Sequence, residues 1–454
     1  MWTSHLPQDS ADSRSARNRM KGQKMDKSCR IMLILVLCLD LLGCKSSGQV
    51  DESKEVGSVD ATSEIATPSM AVDEPNTKND KVLYYEGSNN AFSGKYALFQ
   101  EYSDHGRVSL HFFDVSTGQS NYYCFDAGCE HKPPQYDIVT GELISDFCMA
   151  FDLGGKSLYL QKDCCYFFDY PYLFLADLKG ENRRKISELK LPDSSSFVQE
   201  IYTPTCYFRS FTYSNKMIEK TDENGERSWW LGEPLDKRKL EIIMMPLDGS
   251  EPKEIFIEDD LYDLSIQNLK GYNNHLYIST CGLDVPYGSL PDIQKDMEGY
   301  YEAVKQHSNT KVYDYDILSG RLIDLTETLS IQGGGVYDFA NGYIVKCSVG
   351  DEPGVLYDQS GQMICELPFS VGHLVQSDSC ILASWFMDDE NWYYLYDPID
   401  DKILQKVNGS NRFFLEAAVG ESYYGNENNQ IFYISSTDFW EGHIEKAIII
   451  SNNR

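Results

Sequence analysis

Four side chains that bind soft metal ions lie within one short stretch of the sequence: Cys124, Cys129, His131 and Cys148. Three thiolates and one imidazole suit tetrahedral zinc, which prefers sulfur and nitrogen ligands. Because the protein would supply all four ligands, such a site would be structural rather than catalytic. The spacing is not that of a standard zinc finger. A disulfide within the trio of cysteines and a group of reduced, buried thiols are therefore the alternative interpretations.

Tryptophans form a second group of candidate functional residues, because an exposed indole stacks on sugar rings and lines peptide-binding grooves. Five of them lie in predicted insertions or beside predicted turns: Trp229, Trp230, Trp385, Trp392 and Trp440. Packing in the protein core is the alternative interpretation for this group. The sequence thus offers candidate ligand-binding residues without fixing a ligand.

The sequence contains no common hydrolase motif: Gly-x-Ser-x-Gly and His-Glu-x-x-His are both absent. Residues 154–157 include Gly-Lys-Ser, but the first glycine of a phosphate-binding loop is missing, and a hairpin turn explains them better. His275 and His373 stand at predicted strand starts, where a surface or capping role is favoured over that of a catalytic base. The question of an enzyme stays open, with the sequence arguing against one.

The charge balance excludes one class of partner. Forty basic and 70 acidic residues give a formal charge of −30. A chain this acidic repels phosphate backbones, so nucleic acid is not expected as a ligand. Three acidic clusters, at 258–260, 388–390 and 400–401, fall in predicted turns, where carboxylates are normally just solvated.

From Lys81 onward the sequence has the pattern of short β-strands. Apolar and aromatic residues recur at two-residue spacing between turn signals. One acidic insertion, Asp292–His307, has helix-forming residues instead. The sequence therefore predicts an all-β domain over 81–454.

One unit recurs along this domain: an aromatic-rich strand, an aspartate and a tight turn, in most copies with glycine. The last two intervals between copies are 41 and 40 residues, and a propeller blade has about 40–50 residues. The aspartate is expected to accept turn amide bonds, and the glycine to supply a positive φ. The six copies lie at 113–118, 176–180, 246–249, 315–320, 357–361 and 396–401, and a weaker seventh strand lies at 431–435.

A second turn precedes each repeated turn, which implies four strands per unit. The upstream turns are Gly94, Gly155 and Asn341-Gly342. In the fifth unit the strands are predicted at 336–339, 343–347, 355–358 and 362–367. Four-stranded sheets repeated around an axis form a β-propeller. We predict seven four-stranded blades, with six or eight as the alternatives.

The N-terminus has the features of an export signal. A basic stretch precedes the apolar run Ile31–Leu39, which is about half the length of a membrane-spanning helix. Residues 1–43 are therefore predicted to be a signal peptide, with Met25 as an alternative start. Residues 44–80 lack aromatics and are rich in Ser, Thr, Glu, Asp, Val and Pro, which predicts a flexible spacer.

Leu41-Leu42-Gly43-Cys44 resembles the lipobox of bacterial lipoproteins. The resemblance implies cleavage before Cys44 and acylation of its thiol, with Leu42 and Asp40 departing from the usual pattern. A diacyl or triacyl anchor holds a protein firmly to a bilayer. The expected location is the extracytoplasmic face of the cell membrane.

The signal, spacer, repeats and Cys…Cys-x-His…Cys order together resemble propeller-type lipoproteins of Gram-positive bacteria, whose role is largely unassigned. The resemblance implies an architecture and no activity. The favoured function is a binding protein for a glycan, peptide or protein partner. Loops 125–146, 214–228 and 282–310 are expected to gather at one mouth of the propeller. A glycan-active lyase or hydrolase and a purely structural envelope protein are the alternatives.

Overall fold

The computed structural model describes residues 82–84, 90–102, 107–124, 126, 128–135, 143, 148–154, 156–161, 164–177, 182–189, 196–221, 227–350, 352–377, 380–387, 390–409, 414–427 and 430–451. The predicted signal peptide, Cys44 and the predicted spacer lie outside these residues. Among the described residues no helix is both long and apolar enough to cross a bilayer.

The fold is a seven-bladed β-propeller, which confirms the predicted class and blade number. Each blade is an antiparallel sheet of four strands that follow one another in the chain. We name them A to D from the centre of the ring outward. An extra strand, Val82–Tyr84, pairs with the inner strand of the first blade. The inner strands of blades 6 and 7 pair in parallel at Gln376–Ala417 and Ser377–Ala418.

The strands of the first three blades are as follows. Blade 1 holds β1 Val82–Tyr84, β2 Ala91–Ser93, β3 Tyr96–Tyr102, β4 Val108–Asp114 and β5 Gln119–Tyr122, with β2 as its strand A. Blade 2 holds β6 Ser157–Gln161, β7 Cys164–Asp169, β8 Tyr172–Asp177 and β9 Arg184–Glu188. Blade 3 holds β10 Ser196–Tyr202, β11 Cys206–Thr221, β12 Arg227–Pro246 and β13 Lys253–Glu258.

The remaining four blades complete the ring. Blade 4 holds β14 Tyr262–Tyr272, β15 His275–Leu283, β16 Ser308–Asp316 and β17 Arg321–Asp324. Blade 5 holds β18 Tyr337–Ala340, β19 Tyr343–Lys346, β20 Val355–Tyr357 and β21 Met363–Glu366. Blade 6 holds β22 His373–Ser377, β23 Ile381–Met387, β24 Glu390–Asp397 and β25 Lys402–Gly409. Blade 7 holds β26 Phe414–Val419, β27 Ser422–Glu427, β28 Gln430–Ser435 and β29 Ile448–Ile449.

Helices occur only between strands in the described residues. They are α1 Met149–Asp152, α2 Met297–His307 and α3 Ser436–Trp440, with 3-10 turns at Tyr287–Ser289 and Ile444–Lys446. Helix α2 confirms the helical prediction for the acidic insertion. Its N-cap residue is Asp296, whose Oδ1 accepts a hydrogen bond from the Gly299 amide at 2.9 Å. Such a cap satisfies one of the free amides of the first turn.

The repeated aspartate turn is the connection from strand C to strand D. In blades 4 and 5 the aspartate Oδ1 accepts from the backbone amide two residues later, at 2.9 Å for Asp316 and 2.8 Å for Asp358. Gly320 and Gly361 follow with φ of 69° and 83°, which costs glycine least. In blade 6 Asp401 takes the left-handed place, with φ 48°. The predicted structural role of this motif is confirmed.

Two details of the strand prediction are wrong. The predicted upstream turn at Gly155 lies outside the described residues, and the strand that follows it in the chain, β6, is the first strand of blade 2 rather than the second. The insertion predicted as loop 214–228 is instead largely β-structure, since β11 and β12 pair out to Thr221 and Arg227. In the fifth unit, by contrast, the predicted strands agree with β18–β21 to within one residue at each end.

The hydrophobic core consists of seven apolar clusters in the described residues, one at each contact between neighbouring blades. The cluster between blades 7 and 1 joins the last blade to the first, with Phe92 stacked on Tyr424 at 4.8 Å. The Tyr424 hydroxyl also donates to the Ser93 carbonyl at 2.8 Å. Burial of large apolar side chains at this junction closes the ring.

Strand direction sorts the connections between two faces of the ring. Because neighbouring strands are antiparallel, A–B and C–D connections leave one face, and B–C and D–A connections leave the other. The long insertions 123–156, 214–238 and 284–307 are D–A, B–C and B–C connections, respectively. We call their common side the insert-bearing face. The topology therefore brings the three predicted loop regions to one side of the propeller.

Candidate metal centre and insert-bearing face

The four residues predicted as metal ligands come together between blades 1 and 2. One ligand atom from each of Cys124, Cys129, His131 and Cys148 lies within 4.8 Å of the others. His131 Nδ1 is 3.4 Å from Cys148 Sγ. All four side chains are buried or half-buried, and the three thiols are free. The centre is thus a compact set of three sulfurs and one nitrogen.

The backbone contributes hydrogen bonds to the sulfurs of the centre. The Cys129 Sγ accepts a hydrogen bond from the His131 amide at 3.4 Å. Burial raises the pKa of the Cys124 thiol, and a backbone hydrogen bond from Asp126 partly opposes this shift. The Cys148 thiol is affected in the same way, with the opposing hydrogen bond from the backbone of Ala150.

The surroundings of the centre hold its ligands in place. His131 has φ 49°, which breaks the extended chain after Cys129. Its ring stacks on Tyr122 at 4.7 Å, and Tyr122 contacts the ring of His111 at 4.5 Å. Burial lowers the pKa of His131, which keeps its imidazole in the neutral, ligating form. Burial also raises the pKa of the Cys148 thiol.

The fourth ligand is joined to blade 1 through helix α1. Cys148 directly precedes α1, and its amide donates to the Lys132 carbonyl at 2.9 Å. After the helix, Gly154 lies so close to β4 that an added Cβ would overlap the Val108 carbonyl. Only glycine permits this approach. The segment that carries Cys148 is consequently fixed against blade 1 before it enters blade 2.

The second of the three insertions on the insert-bearing face is a two-stranded ribbon, residues 214–238. Beyond Tyr213 and Lys239 neither β11 nor β12 pairs with another strand of the described chain. Eight residues of strand, from Ser214 to Thr221, extend about 26 Å at about 3.3 Å per residue. The base is held to blade 4 by Arg238, whose Nη2 lies 3.0 Å from Asp263 Oδ1. The ribbon therefore projects from a braced base.

The five candidate tryptophans lie in three different parts of the structure, in blades 3, 6 and 7. Trp229 and Trp230 lie near the tip of the ribbon, opposite Glu219 and Ile218 in register. Trp385 and Trp392 pair across β23 and β24, beside the B–C connection of blade 6. Trp440 lies on the other face of the ring, in the C–D connection of blade 7. Four of the five are thus associated with the insert-bearing face.

Three of these tryptophans also have packing partners. The half-buried Trp385 and Trp392 pack against the cluster between blades 5 and 6, and Lys406 Nζ lies 4.3 Å from the Trp392 ring. Trp440 contacts Phe439 at 5.1 Å, and its Nε1 donates to the Tyr423 hydroxyl at 3.0 Å. The same indole lines a shallow pocket with Gln405 and Glu441. Ligand binding by these residues stays a prediction.

Both candidate histidine bases lie at strand starts, as predicted, and both face an aspartate. His275 Nδ1 lies 2.9 Å from Asp314 Oδ1, and His373 Nδ1 lies 3.2 Å from Asp338 Oδ2. The other oxygen of Asp338 binds Lys270 Nζ at 2.6 Å. Since Asp338 also accepts from two backbone amides, its carboxylate is fully engaged in joining blades 4, 5 and 6.

The network of Lys270, Asp338 and His373 was not predicted from the sequence. Burial opposes the ionisation of Asp338, but Lys270 and His373 outweigh it and hold its pKa well below the ordinary value. The one sequence signal for it is a charged residue inside the apolar inner strand around Tyr337 and Phe339. The partners themselves are 68 and 35 residues away in the chain, so their approach could not be read from spacing.

Not all predicted turn carboxylates are solvated. Asp259 and Asp260 are exposed, but Glu258 belongs to β13 and is buried. Its side chain binds Lys311 Nζ at 2.7 Å and accepts from the Thr280 hydroxyl at 2.8 Å. The sequence interpretation of this cluster is wrong at Glu258, because the strand extends one residue into the acidic run.

No protein-family profile matches the chain, and no curated protein sequence matches it. Solved structures match the chain at low identity and with TM-scores below 0.5. A puromycin-hydrolyzing peptidase of Mycobacterium tuberculosis has a TM-score of 0.45 and 11% identity, covering 84% of this chain and 55% of its own. An acylaminoacyl peptidase of Pyrococcus horikoshii has a TM-score of 0.44 and 11% identity, and the match covers 84% of this chain and 53% of the peptidase. Sqt1 of Saccharomyces cerevisiae has a TM-score of 0.37 and 10% identity, and the match covers 84% of this chain and 87% of Sqt1.

The chain spans about half the length of the two peptidases it resembles. Similarity at this level concerns the propeller fold and assigns neither activity nor ligand. The class of protein that the fold defines is a seven-bladed β-propeller with three insertions on one face.

Proposed function

We propose that this chain is a lipid-anchored binding protein of the cell envelope, exposed on the extracytoplasmic side of the membrane. Its recognition surface is the insert-bearing face, and its ligand is a protein or peptide segment. The observation that supports this is the common exit of the three long insertions from one face of the ring. Propellers whose loops gather on one face use them for recognition.

The ribbon 214–238 favours a polypeptide ligand over a glycan. Its two strands pair with each other, and the outer edge of β11 from Lys216 to Thr221 pairs with no described strand. An open strand edge accepts an extended peptide as a further strand through backbone hydrogen bonds. The salt bridge of Arg238 with Asp263 braces the ribbon, which lowers the ordering cost of binding.

Anchoring places this surface at the membrane. Cys44 is proposed as the acylated residue, and the spacer at 45–80 gives the propeller reach from the bilayer. A Cys44→Ala variant is expected to leave the membrane fraction and to lose incorporation of labelled palmitate. Membrane retention and palmitate labelling equal to those of the unaltered chain would contradict the anchor without touching the binding proposal.

Binding is tested with the full chain against peptide and glycan arrays. In the key variant, residues 214–238 are deleted, and a two-residue Asn-Gly turn connects Tyr213 to Lys239. The matched control changes the other face, with Leu318→Ser and Ile399→Ser, because these side chains are 75% and 86% exposed on C–D turns. Both changes leave the blade cores intact.

We expect peptides to be retained by the unaltered chain and by the control, and the ribbon variant to bind them at least about tenfold more weakly. Glycans retained in place of peptides would overturn the ligand class. Equal peptide binding by the ribbon variant would overturn the assignment of the surface.

A further inference from the structure

We propose that Cys124, Cys129, His131 and Cys148 bind one zinc ion, which fixes the connection between blades 1 and 2. The inference is independent of the ligand-binding proposal, since it rests on the four side chains alone. It selects one of the three interpretations that the spacing of these residues leaves open. Three features of the structure support it: the size of the ligand set, the convergence of its side chains and the position in the fold.

The ligand set has nearly the size of a zinc tetrahedron. With zinc–sulfur bonds of about 2.3 Å and zinc–nitrogen bonds of about 2.0–2.1 Å, the edges of the tetrahedron are about 3.5–3.8 Å. The Nδ1–Sγ distance between His131 and Cys148 is 3.4 Å, and all four atoms lie within 4.8 Å of one another. Shifts of about 1 Å or less at the longest edges would complete the site.

The convergence of the side chains favours a metal ion over the other two interpretations. One ligand atom from each of the four residues lies within 4.8 Å of the others, and the His131 amide donates to the Cys129 Sγ at 3.4 Å. A disulfide could use only two of the three cysteines and has no use for the imidazole. Simple packing of thiols does not require three sulfurs and an imidazole nitrogen to converge within 4.8 Å of one another. A single soft cation uses all of these features at once.

The donor set favours zinc among the soft metals. Three thiolates with one imidazole make a closed tetrahedral set, which is typical of structural zinc. Iron–sulfur clusters distribute their cysteines around several metal ions, whereas these four donors converge on a single point. With all four positions filled by protein, the ion has no open site for a substrate.

The position of the centre explains what the ion does. Cys124 follows β5, the outer strand of blade 1, and Cys148 precedes α1, which leads to the inner strand of blade 2. The chain must cross the insert-bearing face between these two points. Binding all four ligands closes the loop from 124 to 148 and restricts its conformations. Zinc would thus define the shape of one of the three insertions.

The test measures zinc content and cobalt spectra on the full chain, purified under anaerobic conditions. The variant Cys129→Ser removes one ligand. Cys380→Ser is the matched control, because Cys380 is also a half-buried free thiol but lies outside the centre. Two further variants separate ligation from packing: His131→Phe keeps an aromatic ring against Tyr122, and His131→Cys keeps a metal donor.

We expect one zinc per chain in the unaltered protein, in Cys380→Ser and in His131→Cys. In Cys129→Ser and His131→Phe the zinc affinity should fall on the order of 100-fold or more. Cobalt should give the visible bands of a tetrahedral thiolate site only in the proteins that retain zinc.

The assignment is overturned if the unaltered chain takes up neither zinc nor cobalt, or if its cluster cysteines prove to be disulfide-bonded. It is also overturned if His131→Phe binds zinc as well as the unaltered chain does. Because His131→Phe and His131→Cys change the same position in opposite ways, misfolding of Cys129→Ser alone does not decide the result.

Discussion

Asp338 supports the strongest prediction about stability. Its carboxylate is buried and joins three blades: Oδ1 binds Lys270 Nζ at 2.6 Å, and Oδ2 lies 3.2 Å from His373 Nδ1. The amides of Phe339 and Leu374 donate to the same two oxygens at 2.8 and 2.7 Å. In Asp338→Asn the side-chain NH₂ would face donors whichever way the amide turned. The variant also removes the carboxylate that faces the buried ammonium group of Lys270.

Removing one partner of a buried ion pair costs about 3–5 kcal/mol. For a domain of about 370 residues the entropy of unfolding is about 0.8 kcal/mol per kelvin near 60 °C, so the Tm of Asp338→Asn should fall by about 4–6 °C. Asp259→Asn is the control, because Asp259 is an exposed carboxylate, and it should shift the Tm by less than about 1 °C.

The effect depends on pH in a defined direction. The pKa of Asp338 is held below the value of about 3.9 that an aspartate has in the unfolded chain. Its stabilisation is therefore complete above about pH 4 and is lost as the pH falls through the folded-state pKa. The Tm difference between the unaltered chain and Asp338→Asn should shrink as the pH falls below about 4.

The assay is thermal unfolding by circular dichroism at several pH values, with urea unfolding as a second measure. Adding Lys270→Met to Asp338→Asn should recover part of the loss, because it removes the buried positive charge that Asp338 no longer offsets. A Tm of Asp338→Asn within 1 °C of that of Asp259→Asn would refute the reasoning. A Tm difference that grows as the pH is lowered from 4 would also refute it.

Three further predictions concern stability measured by urea unfolding. Burial raises the pKa of Glu416 to about 7, and no described residue bonds its Oε2, so its ionisation opposes folding. Glu416→Gln should raise the free energy of unfolding by about 1–3 kcal/mol at pH 8 and leave it unchanged below pH 4, and no increase at pH 8 would contradict this. Gly154→Ala should lose about 2 kcal/mol or more, because its Cβ would overlap β4, whereas Gly288→Ala, which has open space around it, should be nearly neutral. Asp358→Ala should lose about 1–2 kcal/mol with its three turn hydrogen bonds, while Asp358→Asn should lose less, and equal losses would argue against the turn role.

Much of the fold was predictable because its signals are local. Strand periodicity and the aspartate turns act over a few residues, so the number of blades and the positions of β18–β21 follow from the pattern. The cluster at 124–148 was also predictable as a group of donors, since its members are close in sequence. Its convergence depends on the left-handed conformation of His131 and on the fixing of α1 against β4. Neither feature is visible in the spacing.

The ribbon shows where local signals mislead. Its polar, glycine-containing centre is typical of a loop, and the sequence prediction therefore missed its strands. In the structure Thr221 still pairs with Arg227, and Arg238 braces the base against Asp263 of the next blade. Tertiary contact at the base extends a hairpin that composition alone does not favour.

The sequence by itself determined the class of this protein, because a repeated four-strand unit with a fixed turn has few ways to bury its apolar faces other than a ring of blades. Only the tertiary structure decided which distant residues meet. Lys270, Asp338 and His373 come from three blades, and Phe92 meets Tyr424 from the opposite end of the chain. Such pairs depend on the closure and register of the whole ring, since a contact between blades is set by the packing of entire sheets rather than by neighbouring residues.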